Sequence, residues 1–213
     1  MTKLAIFDFC ETLISRQTAD LFVDFIIEQE QNKSYNFVEG LRKTLHKLHL
    51  LRGNSNKRFK LFQIKGVSKQ KIEFYAQKYL DDILLRNINN KILSLAKEYK
   101  VNNYKIGIIS GGYMPYIKLF AEKFNFDFRI STEISFSEGI CTGKIAGDDC
   151  MGKNKILLLK KKIDLVDIEE LVFVTDHISD LPLLQLSDQP IVVGKETLTP
   201  SWVVKNNFKY IKV

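Results

Sequence analysis

Three short apolar runs in this sequence each end in a cluster of polar residues. Lys3 to Phe7 runs into Asp8-Phe9-Cys10-Glu11-Thr12, Lys105 to Ile109 into Ser110-Gly111-Gly112, and Leu171 to Thr175 into Asp176-His177-Ile178-Ser179-Asp180. Apolar runs of this length, bounded by turn residues, read as buried strands. One such cluster could be an ordinary strand-ending turn, but three on one sheet build a convergent polar site. A carboxylate held at a strand end beside a hard divalent cation can attack phosphorus in line. The acyl phosphate that results splits one difficult displacement into two easier ones. Mg²⁺ suits such a site, because it takes octahedral oxygen ligands and keeps several waters. Gly152-Lys153-Asn154-Lys155 adds two lysines that could stabilise a charged phosphoryl group.

Elements of a particular kind must position these residues. From Thr18 to about Leu85 the pattern is helical. Leu21, Phe22, Phe25 and Ile26 recur at helical spacing, as do Phe37, Leu41, Leu45 and Leu48. A basic polar break over 52–57 divides this region, and Ser68 is placed to cap a helix through Ile72, Tyr75, Ala76 and Tyr79. After about residue 88 helices and strands alternate. Helices are expected over 88–99, 116–124, 155–162 and 179–186, and strands over 105–109, 128–131, 171–175 and 191–193. A hairpin is expected around Glu138-Gly139. Alternation of this kind predicts an α/β fold, a parallel sheet flanked by helices, with its site at the carboxyl ends of the strands.

The bulk properties fit a single domain with a modest insertion: 213 residues, 45% hydrophobic, enough for a core without disulfides. Three cysteines, without CxxC pairing, suggest a reducing compartment and no zinc site. The first apolar run is too short for a secretory signal core, and no stretch approaches the roughly 20 residues of a membrane helix. The expectation is a cytoplasmic protein with no membrane association. The net charge of +7 comes largely from scattered lysines, with Lys160-Lys161-Lys162 the one tight run. No nucleic-acid motif accompanies it, so it reads as a solvated surface whose field would help gather anionic substrates. Oligomeric state is not legible.

The clusters, in their order, resemble the haloacid dehalogenase superfamily, in particular its phosphoserine-phosphatase-like branch. The resemblance rests on Phe7 to Leu13, Ile109 to Gly112, Gly152 to Lys155 and Thr175 to Pro182, with Thr132-Glu133, Gly139, Thr142-Gly143 and Gly147 matching as well. It implies a Rossmann-like core over 1–14 and 86–213 and an inserted helical cap of the C1 type over 15–85. It assigns the nucleophile to Asp8 and the Mg²⁺ ligands to Asp8, Asp176, the Cys10 main-chain carbonyl, and Asp180 directly or through water. It makes Ser110 and Gly111 contacts to the phosphoryl oxygens. It asks for a lysine, Lys155 or Lys153, with Lys155 better placed because Leu159 follows at the usual spacing.

Two positions depart from the pattern. An aspartate that protonates the leaving alkoxide and later activates water is expected two residues after the nucleophile, and Cys10 stands there. The chain could be slow, could use another group such as Glu11, His177 or one from the cap, or could bind or transfer phosphate rather than hydrolyse it. Glu11 should point away from the site if the chain is still extended there, and His46 and His49 fall on a helical surface with no assigned role. Gln17 stands where a carboxylate would bind a substrate ammonium, and Arg58 roughly where a cap arginine would bind a substrate carboxylate. The neutral Gln17 argues against phosphoserine itself. The resemblance therefore implies a phosphatase for a small phosphorylated metabolite, such as an amino-alcohol phosphate, a sugar phosphate or a phosphorylated surface-polysaccharide precursor. A phosphotransferase and a non-catalytic phosphate binder are the alternatives.

Overall fold

The computed structural model describes residues 2–30 and 54–213. Strand β1 (Thr2–Phe7) is apolar on both sides, as a central parallel strand must be. Leu4 and Ile6 face one core cluster, and Ala5 and Phe7 the other. It pairs in parallel with β2 (Lys105–Tyr113) on one side and β5 (Ile168–Thr175) on the other. Beyond β2 lie β3 (Phe128–Ser137) and the antiparallel β4 (Ile140–Ala146). Beyond β5 lie β6 (Gln189–Gly194) and β7 (Lys209–Lys212). The seven strands run in the order β4-β3-β2-β1-β5-β6-β7. The order reverses direction at β1, so the crevice for a ligand opens at the carboxyl end of that strand.

Register sets the site. Phe7 lies opposite Ile108 of β2 and Val174 of β5, so Asp8, Ser110 and Asp176 emerge together on the same edge. On one face of the sheet Ile106, Ile108, Val172 and Val174 pack against α4 (Asn90–Val101) and α5 (Met114–Lys123). On the other, Ile109, Leu171 and Phe173 meet Leu159 of α6 (Asn154–Lys162), Leu183 and Leu184 of α7 (Leu181–Leu186) and Val203 of α8 (Ser201–Lys205).

Between β1 and α4 the described α-helices are α1 (Ala19–Gln29), α2 (Asn54–Phe62) and α3 (Lys69–Tyr79). Ser68 does cap α3, its side chain accepting from Lys71 N at 3.3 Å. The buried stripe of α1 runs through Phe22, Val23, Ile26 and Ile27, leaving Leu21 exposed, one residue out of step with the sequence expectation. Residues 54–57, expected in a polar break, are helical; residues 52 and 53, the 37–48 repeat, His46 and His49 lie outside the described residues. Gly143 of β4 is at φ 71°, and a Cβ there would lie 2.9 Å from Phe62 Cα, so α2 packs directly on the hairpin. A wide helical turn (Leu80–Leu84) and a tight one (Leu85–Asn87) return the chain beside its outgoing passage. There Ser15 N donates to Asn87 O and Asn89 N to Leu13 O, both at 2.8 Å.

Strand β3 is continuous where the sequence suggested two pieces, β2 carries on through Ser110-Gly111-Gly112 to Tyr113, and β7 and α8 had no sequence signal. Among the described residues no helix is long and apolar enough to cross a membrane, and Cys10, Cys141 and Cys150 are free thiols.

Candidate active site

A cavity of about 340 Å³ opens at the carboxyl edge of β1, β2 and β5, lined by Asp8, Cys10, Ser110, Gly111, Lys155, Asp176 and Asp180 among others. Asp8 is the first residue past β1. Its amide donates to Val174 O at 2.8 Å, and its Oδ1 accepts from Phe9 N at 2.7 Å. Its Oδ2 lies 3.1 Å from Lys155 Nζ, and Lys155 also bonds Asp180 Oδ2 at 2.6 Å. Thr175 donates to the same Asp180 oxygen at 2.8 Å. Burial pushes the Asp8 carboxyl up from its ordinary value, against the pull of Lys155 and with a further push from Asp180. Burial also works against the Lys155 ammonium, but Asp8 and Asp180 together hold its pKa above the usual lysine range. Lys155 thus stays charged in a place where an unpaired lysine would lose its proton. Lys153 is exposed and outside the cavity lining.

Asp176 follows β5 and accepts from Thr12 Oγ1 at 3.2 Å. Burial, and then the charge of Asp8, raise its pKa to about 7. A buried and a half-buried carboxylate set against one another in this way suit a divalent cation. Among the described residues no cluster of three or more His, Cys, Asp or Glu side chains forms a metal centre by itself. The groups that could hold one are the Asp8 and Asp176 carboxylates, the Cys10 main-chain carbonyl and Asp180, whose Oδ2 already bonds Lys155 and Thr175, an all-oxygen set of the kind that would leave positions for water and substrate. These residues fit Mg²⁺.

Ser110 is fully buried, its Oγ accepting from Gly112 N at 3.1 Å. A Cβ on Gly111 would lie 2.6 Å from Met151 Cγ, so a larger residue there would displace the Met151 side chain that borders the cavity. Cys10 lines the cavity with its thiol pushed up to about 11, first by burial and then by Asp8. Glu11 is not extended: at φ 52° it turns the chain, and it accepts from Gln17 Nε2 at 2.7 Å. Gln17 lines the cavity and Glu11 does not. His177 is exposed at the rim, and its Nδ1 accepts from Ser179 N at 3.1 Å, so the ring closes the turn that follows β5.

Arg58 is not brought to the site; it is exposed and does not line the cavity. Its neighbour Lys57, one position earlier on α2, does. Lys57 Nζ bonds Gly111 O at 2.5 Å, Thr132 Oγ1 at 3.0 Å and Asp149 Oδ1. Burial lowers its pKa, against the opposing charge of Asp149. The sequence carried no sign of this ion pair, because the partners are 92 residues apart. Thr12, within the first polar cluster, and Thr175, the last residue of β5, carried no role in the sequence reading.

Residues 5–185 match the family model for haloacid dehalogenase-like hydrolases. Over 194 residues the chain is 24% identical to a phosphoserine phosphatase of Methanocaldococcus jannaschii, covering 86% of this chain and 81% of that one. A protein of unknown function from Bordetella pertussis Tohama I superposes with a TM-score of 0.84 at 16% identity, over 99% of both chains. A phospho-aspartyl intermediate analogue of phosphoserine phosphatase superposes with a TM-score of 0.66 at 19% identity, over 98% of this chain and 92% of that one. The chain belongs to the haloacid dehalogenase-like hydrolases.

Proposed function

We propose that this hydrolase is a Mg²⁺-dependent phosphatase acting on a small organic phosphomonoester through an aspartyl phosphate at Asp8. The observation that carries this reading is the buried Lys155 bridging Asp8 and Asp180 in the lining of a cavity that also holds Ser110 and Asp176. Asp8 attacks phosphorus and the bond to the leaving alcohol breaks. Water then attacks the aspartyl phosphate and restores the carboxylate. Lys155 neutralises the phosphoryl charge and keeps Asp8 oriented. Ser110 Oγ and the Gly111 N–H, both from the cavity lining, donate to phosphoryl oxygens. When bound, Mg²⁺ held by Asp8, Asp176, the Cys10 carbonyl and Asp180, directly or through water, supplies charge neutralisation between phosphate and nucleophile.

Helices α1 to α3 form the cap of this reading, residues 15–85, over a core of 1–14 and 86–213. The passages that join it to the core are tied to each other by the bonds between Ser15 and Asn87 and between Leu13 and Asn89. The leaving group faces Gln17, Asp20 and Asn56 from the cap side. The relatives named for phosphoserine suggest a substrate of that size. The neutral Gln17 favours an amino-alcohol phosphate, a sugar phosphate or a surface-polysaccharide precursor over phosphoserine. A cytoplasmic setting belongs to the same reading. Phosphate release over a panel of such esters, with and without Mg²⁺, tests it. Release from none of them, or equal release in EDTA, overturns it, and loss of free phosphate when acceptor alcohols are added would mark transfer instead.

A further inference from the structure

The Ser110-Gly111-Gly112 segment of β2 is held from the cap side. Strands β2 and β3 pair in register up to Ser110 and Ser131, and the next pair is Tyr113 with Thr132, so Gly111 and Gly112 bulge out with no counterpart on β3. Two adjacent glycines restrain the backbone least of any pair, so a contact from outside the ladder has to fix them. Gly111 O and Gly112 N–H belong to one trans peptide unit and point in opposite directions. The oxygen accepts from Lys57 Nζ at 2.5 Å, and the N–H donates to Ser110 Oγ at 3.1 Å. Whatever holds the oxygen therefore aims the N–H. A serine oxygen that accepts from Gly112 keeps its own hydrogen to donate, and Ser110 lines the cavity.

Two side-chain donors reach Gly111 O: Lys57 Nζ, and Thr132 Oγ1 at 3.2 Å. Thr132 has one hydroxyl hydrogen, and the Asp149 carboxylate, at 2.7 Å, is its nearer and charged acceptor. Lys57 is left as the strong donor to the Gly111 oxygen. Its ammonium has three hydrogens, and three acceptors surround it: Gly111 O, Thr132 Oγ1 and Asp149 Oδ1. Lys57 lines the cavity, yet it has no hydrogen left for a substrate. Asp149, buried as Lys57 is, supplies the counter-charge. Thr132 Oγ1 is fixed from the other side, where Cys150 N donates to it at 3.1 Å.

We infer that Lys57 is a positioning residue: reaching across from α2, it fixes the Gly111–Gly112 peptide and, through the N–H of that peptide, turns the Ser110 hydroxyl toward the phosphoryl group. This rests on the phosphatase reading for its chemistry; the clamp on the peptide is a matter of geometry alone. Lys57 acts on the phosphoryl side of the bond that breaks and leaves the choice of alcohol to other residues. The segment that receives the phosphoryl group is complete only with α2 seated on the core.

Gly111-Gly112 is the one Gly-Gly step in the sequence. In protein grown on glycine labelled with ¹³C at the carbonyl and with ¹⁵N, only the Gly112 amide is bonded to a labelled carbonyl. A single NMR cross-peak then reports the Gly111 carbonyl carbon together with the Gly112 amide proton. Lys57→Met should move both upfield, the carbon because its oxygen loses the ammonium, the proton because the peptide is no longer aimed at Ser110. Asp149→Asn breaks the same ion pair but leaves Lys57 on Gly111 O and Thr132 on the new amide oxygen, so both signals should move far less. Should Lys57→Met not fold, Asp149→Asn is compared with Lys57→Met/Asp149→Asn, which buries no unpaired charge. A Gly112 proton that stays in place when Lys57 is lost, or that moves as far in Asp149→Asn, overturns the clamp. For the chemistry, kcat/KM is compared over phosphomonoesters of different alcohols. Loss of Lys57 should lower it about 10-fold or more, equally for every ester, and the effect should vanish in a Ser110→Ala background. Asp149→Asn should keep most of the activity. A loss that depends on the alcohol, that persists without the Ser110 hydroxyl or that is equal in Asp149→Asn refutes the positioning role. If the wild type turns over no phosphomonoester, the phosphatase reading fails while the NMR result still decides the clamp.

Discussion

Replacing Asp176 by asparagine should stabilise the metal-free protein at neutral pH. In the folded chain the Asp176 carboxyl sits at about 7, against 3.8 for an ordinary aspartate, first because it is buried and then because Asp8 is close. The folded value is raised, so between these limits the native state binds more protons than the unfolded one, and stability falls as pH rises. The full difference corresponds to about 4 kcal/mol at ~1.36 kcal/mol per pH unit. The part lost between pH 5 and 8 is about 2.5 kcal/mol, or roughly 5–10 °C in Tm for a chain of this size. The asparagine side chain would carry no charge and could still accept the Thr12 hydrogen bond, so Asp176→Asn should lack this loss. Thermal unfolding in EDTA at pH 5 and pH 8, for wild type and variant, measures it. Adding Mg²⁺ at pH 8 should raise the wild-type Tm, because an ion that binds the native state alone stabilises it, and should raise the variant far less. A wild-type Tm in EDTA that does not fall relative to the variant across this range, or an equal gain from Mg²⁺, would refute the reasoning.

Asp8→Asn should abolish phosphate release with the circular dichroism spectrum unchanged; steady turnover by the purified variant would remove Asp8 from the mechanism. Lys155→Met should also abolish turnover while Lys153→Ala leaves it unaltered, since only Lys155 reaches Asp8, and equal losses in the two would contradict the assignment. Lys57→Met should cost about 3–5 kcal/mol in denaturant unfolding, because it leaves the buried Asp149 without its counter-charge, whereas Arg58→Ala should stay within about 0.5 kcal/mol.

The α/β class, the strand-end positions of Asp8 and Asp176, and the cap of α3 at Ser68 were legible in the sequence, because each is a local matter. Apolar runs with residues buried on both faces make central parallel strands, and a polar residue just past such a run falls on the sheet's carboxyl edge. The same local reading failed where the stabilising contact is distant. Strand β7 alternates too briefly to stand out and is held by its register with β6. Residues 54–57 look like a break, but they form a helix whose Lys57 is drawn inward by Asp149, Thr132 and Gly111. The adjacent Arg58, which the sequence favoured, is left in solvent. Spacing showed that a lysine belonged near the nucleophile, but the choice of Lys155 was made by α6, which buries that side chain between Asp8 and Asp180 and leaves Lys153 exposed. The contacts of Cys10 with Thr18 and of Thr18 with Tyr116 are further still from any sequence pattern, because they join a residue after β1, a residue at the start of α1 and one in α5, which only tertiary packing brings into contact.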